Sequence, residues 1–399
     1  MIQEGVTQSV FPGAVALVAQ GGKVVFQAHV GHRSLIPVSA PMAADTIFDL
    51  ASLTKPLTTT LCIMKLVDEE KLFLDQSLAE MLPNADLRDK GHLTLRLLLI
   101  HSAGLVDWVP FYEKLMDYPL QDRKRLLRKW IIKEPFTYEP GKGNVYSDLG
   151  FMLLEWVIQE QTGQTLPQYA RAHFYGPLGL KRTFFRGTGE GGNPPRPPFT
   201  KVGREDEERG AGKSLNSRLA KNPLAARWNE APGINYPREE FAATEDCPWR
   251  KRMLQGEVHD DNAWALGGYS GHAGLFSTAE EVYGIANMLR EHSLGKRKDF
   301  FKPDTVREFF RRQDVVPGSD WALGWDTRAL EGSSAGKYFS RDSVGHTGFT
   351  GTSLWMDFEK DVIAILLTNR VHPKRDNDKI KQFRPVFHDA VMGALGLVG

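Results

Sequence analysis

The sequence predicts an α+β protein with strands at both chain ends and helices between them. The chain opens on a hairpin signal, it nearly closes on another, and the residues between follow a helical period. The first hairpin is Gly13 to Gln20 and Lys23 to Val30 around Gly21-Gly22, a two-residue turn signal. The second is Thr352 to Asp357 and Val362 to Thr368 around Phe358-Glu359-Lys360-Asp361. An apolar helix, Phe383 to Leu395, follows it.

Between the hairpins, Thr58 to Glu70 reads as an amphipathic helix. Thr94 is a cap for Leu95 to His101, with a stop expected near Gly104. Gln121 to Lys133 is a basic amphipathic helix, and Leu149 to Thr162 an apolar one that ends at Gly163. Residues 186–245 are rich in Gly and Pro and contain the charge run Arg204 to Arg209. They read either as solvated surface or as a cover over a cleft. Leu266 to Phe276 is glycine-rich, which implies close backbone approach, and Ser277-Thr278-Ala279-Glu280 then opens a helix. Trp264, Tyr269 and Trp325 suit either a cleft or the core.

Composition narrows the class. With 41% apolar and 25% charged residues the chain is globular, and a net charge of +1 gives no reason to expect a nucleic-acid partner. Two cysteines, Cys62 and Cys247, make neither a disulfide framework nor a C-x-x-C motif. The first residues show no leader pattern, and no apolar run reaches the length of a membrane span. The expected location is therefore cytoplasmic, or periplasmic or secreted where a leader has been removed.

The organising stretch is Phe48 to Leu57. Ser52 is placed as an N-cap or first-turn residue, and Lys55 follows on the same helical face. A serine hydroxyl needs a neighbouring base, and a lysine serves if its pKa falls. Two further motifs are Tyr146-Ser147-Asp148, at the start of the long apolar helix, and His346-Thr347-Gly348, before the second hairpin. Each alone is weak.

In this order, Ser52-x-x-Lys55, Tyr146-x-Asp148 and His346-Thr347-Gly348 resemble the three-motif active site of serine β-lactamases and penicillin-binding proteins. The tyrosine is similar to that of the class C β-lactamase-like branch, which includes esterases and D-amino-acid peptidases. Leu95 to Leu105, Tyr138-Glu139-Pro140-Gly141, Tyr175 to Leu180 and Gly274 to Ala279 resemble that branch too. The resemblance runs from about residue 10 to 370 and is thinnest over residues 186–260.

It implies a β-lactamase/transpeptidase-like fold, an antiparallel sheet formed by both chain ends and flanked by helices. Residues 1–60 and 265–399 are expected to form the sheet domain. Residues 61–264 would form a helical domain with a loop-rich insertion at about 186–260. The resemblance also implies roles: Ser52 as nucleophile, Lys55 and Tyr146 as its activators, and the N–H groups of Ser52 and Phe349 as the oxyanion hole. Asp148, His346, Thr347 and Gly348 are expected to bind substrate, the last two on an edge strand. A lysine beside the phenol is expected to lower the pKa of Tyr146. His272 lies in a segment resembling a cleft-lining loop, so a role near the substrate is expected. His259 and His272 fit no zinc spacing, so neither metal nor cofactor is expected.

Two departures matter. The family's third motif usually begins with Lys, and here His346 titrates near neutrality. Its second usually ends in Asn, and here Asp148 is an anion that would raise the pKa of Lys55 if the two are close. The expected activity is hydrolysis of a small ester, amide or β-lactam through an acyl-enzyme on Ser52. A carboxylesterase with weak or no β-lactamase action is favoured. The alternatives are a D,D-carboxypeptidase or D-amino-acid peptidase, and, from another class, a non-catalytic peptidoglycan- or penicillin-binding protein.

Overall fold

The computed structural model describes residues 1–188 and 236–398. Strands β1 (Gly13–Gln20), β2 (Lys23–Ser34) and β3 (Ala40–Pro41) open the chain, and β4 (Phe48–Asp49) leads to Ser52. After Ser52 a wide π-type turn, Lys55–Thr60, runs into helix α1 (Leu61–Asp68). Helices α2 (Leu95–Leu99), α3 (Leu120–Lys133) and α4 (Asp148–Thr162) follow, then β5 (Phe184–Phe185). The hairpin β6 (Ala243–Cys247) and β7 (Arg252–Gln255) precedes β8 (Leu275–Ser277) and helix α5 (Ala279–Ser293). The chain then adds β9 (Trp321–Ala322), β10 (Trp325–Thr327), β11 (Val344–Thr347), β12 (Ser353–Asp357), β13 (Val362–Thr368) and helix α6 (Ile380–Ala394).

The main sheet is antiparallel and ordered β3-β2-β1-β13-β12-β11-β10-β9, so the two chain ends meet at its centre, where β1 pairs with β13. Both central strands are buried on both faces, as their alternation requires. Val15, Leu17, Ile363 and Ile365 face the larger apolar cluster with Val282 and Ile285 of α5. Ala14, Ala16, Ala364 and Leu366 face Phe383 and Phe387 of α6. Burying each such Leu, Ile or Phe side chain contributes about 1.5–3 kcal/mol. The α+β sheet expected from the sequence is present.

Several expectations are corrected. The segment read as an amphipathic helix from Thr58 is buried nearly all round from Leu57 to Met64, because it is the central helix of the fold. The helix capped by Thr94 stops at Ile100, and Gly104 instead takes a left-handed turn with φ +74°. Within the loop-rich stretch, residues 243–255 form a β-hairpin. The Gly/Pro-rich part from 189 to 235 lies outside the described residues. Cys247, in a polar run, is buried, as is Cys62. Trp325, for which cleft and core were both open, is a core residue. Among the described residues no helix is long and apolar enough to cross a membrane.

Candidate active site

Ser52 does not cap a helix. It sits in the middle of a short 3-10 turn, Ala51–Leu53, and the residue before it, Ala51, has φ +48°. That conformation costs an L-residue roughly 1–2 kcal/mol. Asp49 stabilises it by accepting the Ala51 N–H at 2.9 Å, while Thr54 Oγ1 donates to the Ala51 carbonyl at 2.7 Å. The second Asp49 oxygen accepts the His259 N–H at 2.6 Å. The strained turn is thus fixed by a buried carboxylate. A charged residue ending an apolar strand was the available signal, and the sequence reading passed over it.

Lys55 is wholly buried and its ammonium organises the site. Nζ donates to Ser52 Oγ at 3.2 Å, to Tyr146 OH at 2.6 Å and to Asp148 Oδ1 at 2.6 Å. A fourth and longer contact, 3.5 Å, reaches the His272 carbonyl, so the ammonium's three protons are fully taken up. Burial alone would depress the Lys55 pKa, but Asp148 and Tyr146 outweigh it and hold the group above its ordinary value. The anion effect expected at Asp148 is therefore present. The expected lowering of the Tyr146 phenol is not. Burial pushes it up, and the Lys55 ammonium opposes that without overcoming it.

Ser147 caps α4, which brings Tyr146 and Asp148 to Lys55. His101 locks this corner. Its Nδ1 accepts the Ser147 N–H at 3.0 Å, and its ring lies 4.6 Å from Tyr146 and 4.4 Å from Trp321. Trp321 in turn stacks on Tyr146 at 5.9 Å.

The third motif closes the other side. A Cβ on Gly348 would lie 2.1 Å from Thr352 Oγ1 and 2.5 Å from the Leu50 carbonyl oxygen, so only glycine permits this approach. Thr350 Oγ1 and Thr352 Oγ1 donate to the carbonyls of Asp49 and Leu50 at 2.8 and 3.0 Å, clamping this segment onto the Ser52 turn. Strand β11 is an inner strand, not an edge. It pairs with β12 over Val344 to Thr347, and with β10 only over Val344 and Gly345. The β10 side of His346 and Thr347 is thus left to the pocket. His346 departs further from expectation. Burial and Lys55 push its pKa down to about 3, so the ring is neutral, with Nδ1 donating to the Thr347 carbonyl at 2.9 Å.

His272 is buried and does not line the pocket, because its ring is turned onto Asp260, with Nε2 3.0 Å from Oδ1. Asp148, Asp260 and His272 bring ligand-type atoms within 4.8 Å of one another. Asp148 already holds the Lys55 ammonium and Asp260 the His272 ring, so the charges of this cluster are matched internally.

A cavity of about 820 Å³ opens over Ser52, lined also by Tyr146, Thr347, Phe349 and Trp108. Two of its lining residues, Arg370 and Arg384, are buried guanidinium groups whose hydrogen bonds among the described residues go to carbonyls, with the Asp378 carboxylate acting on Arg370 from a greater distance. Arg370 donates to the carbonyls of Phe349 and Asn377, and Arg384 to those of Gly348 and Thr352. Arg384 Nε has no partner among the described residues, and burial with the Arg370 charge lowers its pKa to about 9. The sequence reading missed both, because neither stands in a short motif.

The fold and the serine–lysine–tyrosine cluster define a serine-hydrolase type of protein. A sequence model of the Beta-lactamase family matches residues 1–385, and the chain belongs to that family of serine hydrolases. Among curated relatives it is 30% identical over 379 residues to an N-acetylmuramyl-L-alanine amidase of Bacillus subtilis (strain 168), covering 91% of this chain and 78% of that one. It is 29% identical over 390 residues to a putative D-alanyl-D-alanine carboxypeptidase of Salmonella agona (strain SL483), covering 93% and 81%. Among solved structures it shares the fold of EstCE1, a hydrolase with promiscuous acyltransferase activity, at TM-score 0.65 and 19% identity, covering 96% of both chains. It also resembles the octameric penicillin-binding protein homologue from Pyrococcus abyssi, at TM-score 0.66 and 18% identity, covering 99% of this chain and 76% of that one.

Proposed function

We propose that the chain hydrolyses an amide bond in a carboxylate-bearing peptide of the bacterial cell-wall type, through an acyl-enzyme on Ser52. The observation that carries the reaction is the contact of one lysine ammonium with both the Ser52 hydroxyl and the Tyr146 phenol at the floor of an open pocket. The competent form has one proton fewer on the coupled Lys55–Tyr146 pair than the resting form. In it the Tyr146 oxygen takes the Ser52 proton while Oγ bonds to the substrate carbonyl carbon. The oxyanion is assigned to the N–H groups of Ser52 and Phe349, which stand on the turn and on the segment clamped to it by Thr350 and Thr352. Collapse breaks the C–N bond, and the Tyr146 proton passes to the leaving nitrogen. Water then repeats the sequence on the acyl-enzyme and returns the proton to Oγ.

The substrate class rests on Arg370 and Arg384. Buried cations whose hydrogen bonds among the described residues go only to carbonyls favour an anionic ligand. A small neutral ester, the reading first favoured from the sequence, gives them nothing to bind. The relatives named for amidase and carboxypeptidase action support the same choice. The test is a panel of a D-alanyl-D-alanine peptide, an N-acetylmuramyl peptide, a nitrophenyl ester and a chromogenic cephalosporin. One of the two carboxylate-bearing peptides is expected to give the highest kcat/KM, and preferential turnover of the neutral ester would overturn the assignment.

A further inference from the structure

The pocket has a second charged wall that the chemistry at Ser52 leaves unused. Asp326, in β10, lines the same cavity as Ser52. Among the described residues its carboxylate has no ion pair and no hydrogen bond from another side chain, and takes one from the Thr327 backbone N–H. Arg312, the cation acting on it, is already paired with Asp320. Burial and the Asp320 charge push the Asp326 carboxyl up to about 7, as expected of an acid that lacks a counter-ion. The sheet register sets Asp326 beside Trp321 on one side and Gly345 on the other. Trp321 stacks on Tyr146, so the acid stands next to the reacting cluster.

The cationic wall meets the chain just past the end of β11, where Arg384 bonds the Gly348 carbonyl. Gly345 and Gly348 are three residues apart, about 10 Å of extended chain. A ligand answering both walls therefore carries its two charges well separated. An α-amino acid, whose charges share one carbon, is too short.

We infer that Asp326 and Trp321 form a subsite for a protonated amine, so that the pocket takes a zwitterionic peptide whose amine and carboxylate lie several residue lengths apart. Trp321 offers an aromatic surface to the ammonium and Asp326 its counter-charge. The inference rests on the proposed peptide substrate and adds to it the charge of the acyl portion.

The test uses the Ser52→Ala protein, which binds without turnover, and two synthetic peptides ending in D-alanyl-D-alanine. They differ only in a lysine side chain that is free or acetylated. Calorimetry is expected to give a Kd at least about tenfold tighter for the free amine. Adding Asp326→Asn, with the fold checked by circular dichroism, should bring that ratio to about one and leave the acetylated peptide's Kd unchanged. Equal affinities with Asp326 intact, no binding of either peptide, or a preference that survives Asp326→Asn would overturn the inference. Failure of the underlying reading shows separately, as hydrolysis of the acetylated peptide that persists after Ser52→Ala.

Discussion

The Lys55 ammonium lies 2.6 Å from the Asp148 carboxylate, at a position where the family usually has a neutral amide. Asp148 raises the pKa of both Lys55 and Tyr146. The reacting form has lost a proton from that pair, so activity should rise with pH through the neutral range and into alkali. Asp148→Asn removes the anion, lets the proton leave more easily, and should move the rising limb of kcat/KM toward lower pH. A pH–rate profile of the two proteins checks this, and an unmoved limb would count against the proton assignment.

Gly348→Ala should separate geometry from chemistry. The added carbon meets the Leu50 carbonyl and Thr352 and pushes β11 away from the Ser52 turn. A displacement of this order is expected to reduce kcat/KM about 10²-fold. Steady-state kinetics, with folding monitored by circular dichroism, measures it. Near-normal activity would mean that the close approach is not required.

How much of this was legible in the sequence follows from what each residue needs. The Ser52, Tyr146 and His346 motifs were readable because each packs its residues into one short stretch. The two hairpins were readable because strand periodicity and turn residues are local signals. Arg370 and Arg384 were not, because their significance lies in what they bond to, and that depends on which distant residues fold beside them; Asp49 carried only the weak signal of a charge ending an apolar strand, and the two N–H groups it accepts come from folding. The charge states of His346 and Tyr146 went astray for the same reason. At Tyr146 burial outweighed the Lys55 charge, and at His346 burial and Lys55 acted in the same direction.

Asp49 should matter for stability before activity. Asp49→Ala leaves the buried N–H groups of Ala51 and His259 without acceptors, at a cost of about 1–3 kcal/mol each. Asp49→Asn keeps an acceptor and should recover part of the loss. Denaturant unfolding of the three proteins reads the difference, and equal stability of Asp49→Ala and the parent would contradict the account of the turn.

Carboxylate recognition should belong to the arginines and not to His346. Arg384→Met is expected to raise KM about tenfold or more for a peptide with a free carboxylate, relative to the same peptide amidated. His346 is neutral down to about pH 3, so His346→Gln should leave the pH dependence of KM between 5 and 8 unchanged. A KM limb in that range that disappears in His346→Gln would reverse the assignment.

The most direct measurement is the mass of the protein quenched during turnover of a slowly released acyl substrate such as a penicillin or an activated ester. The account predicts a covalent adduct on the peptide containing Ser52, absent from Ser52→Ala together with all hydrolysis. An adduct on another residue, or hydrolysis retained in Ser52→Ala, would contradict it.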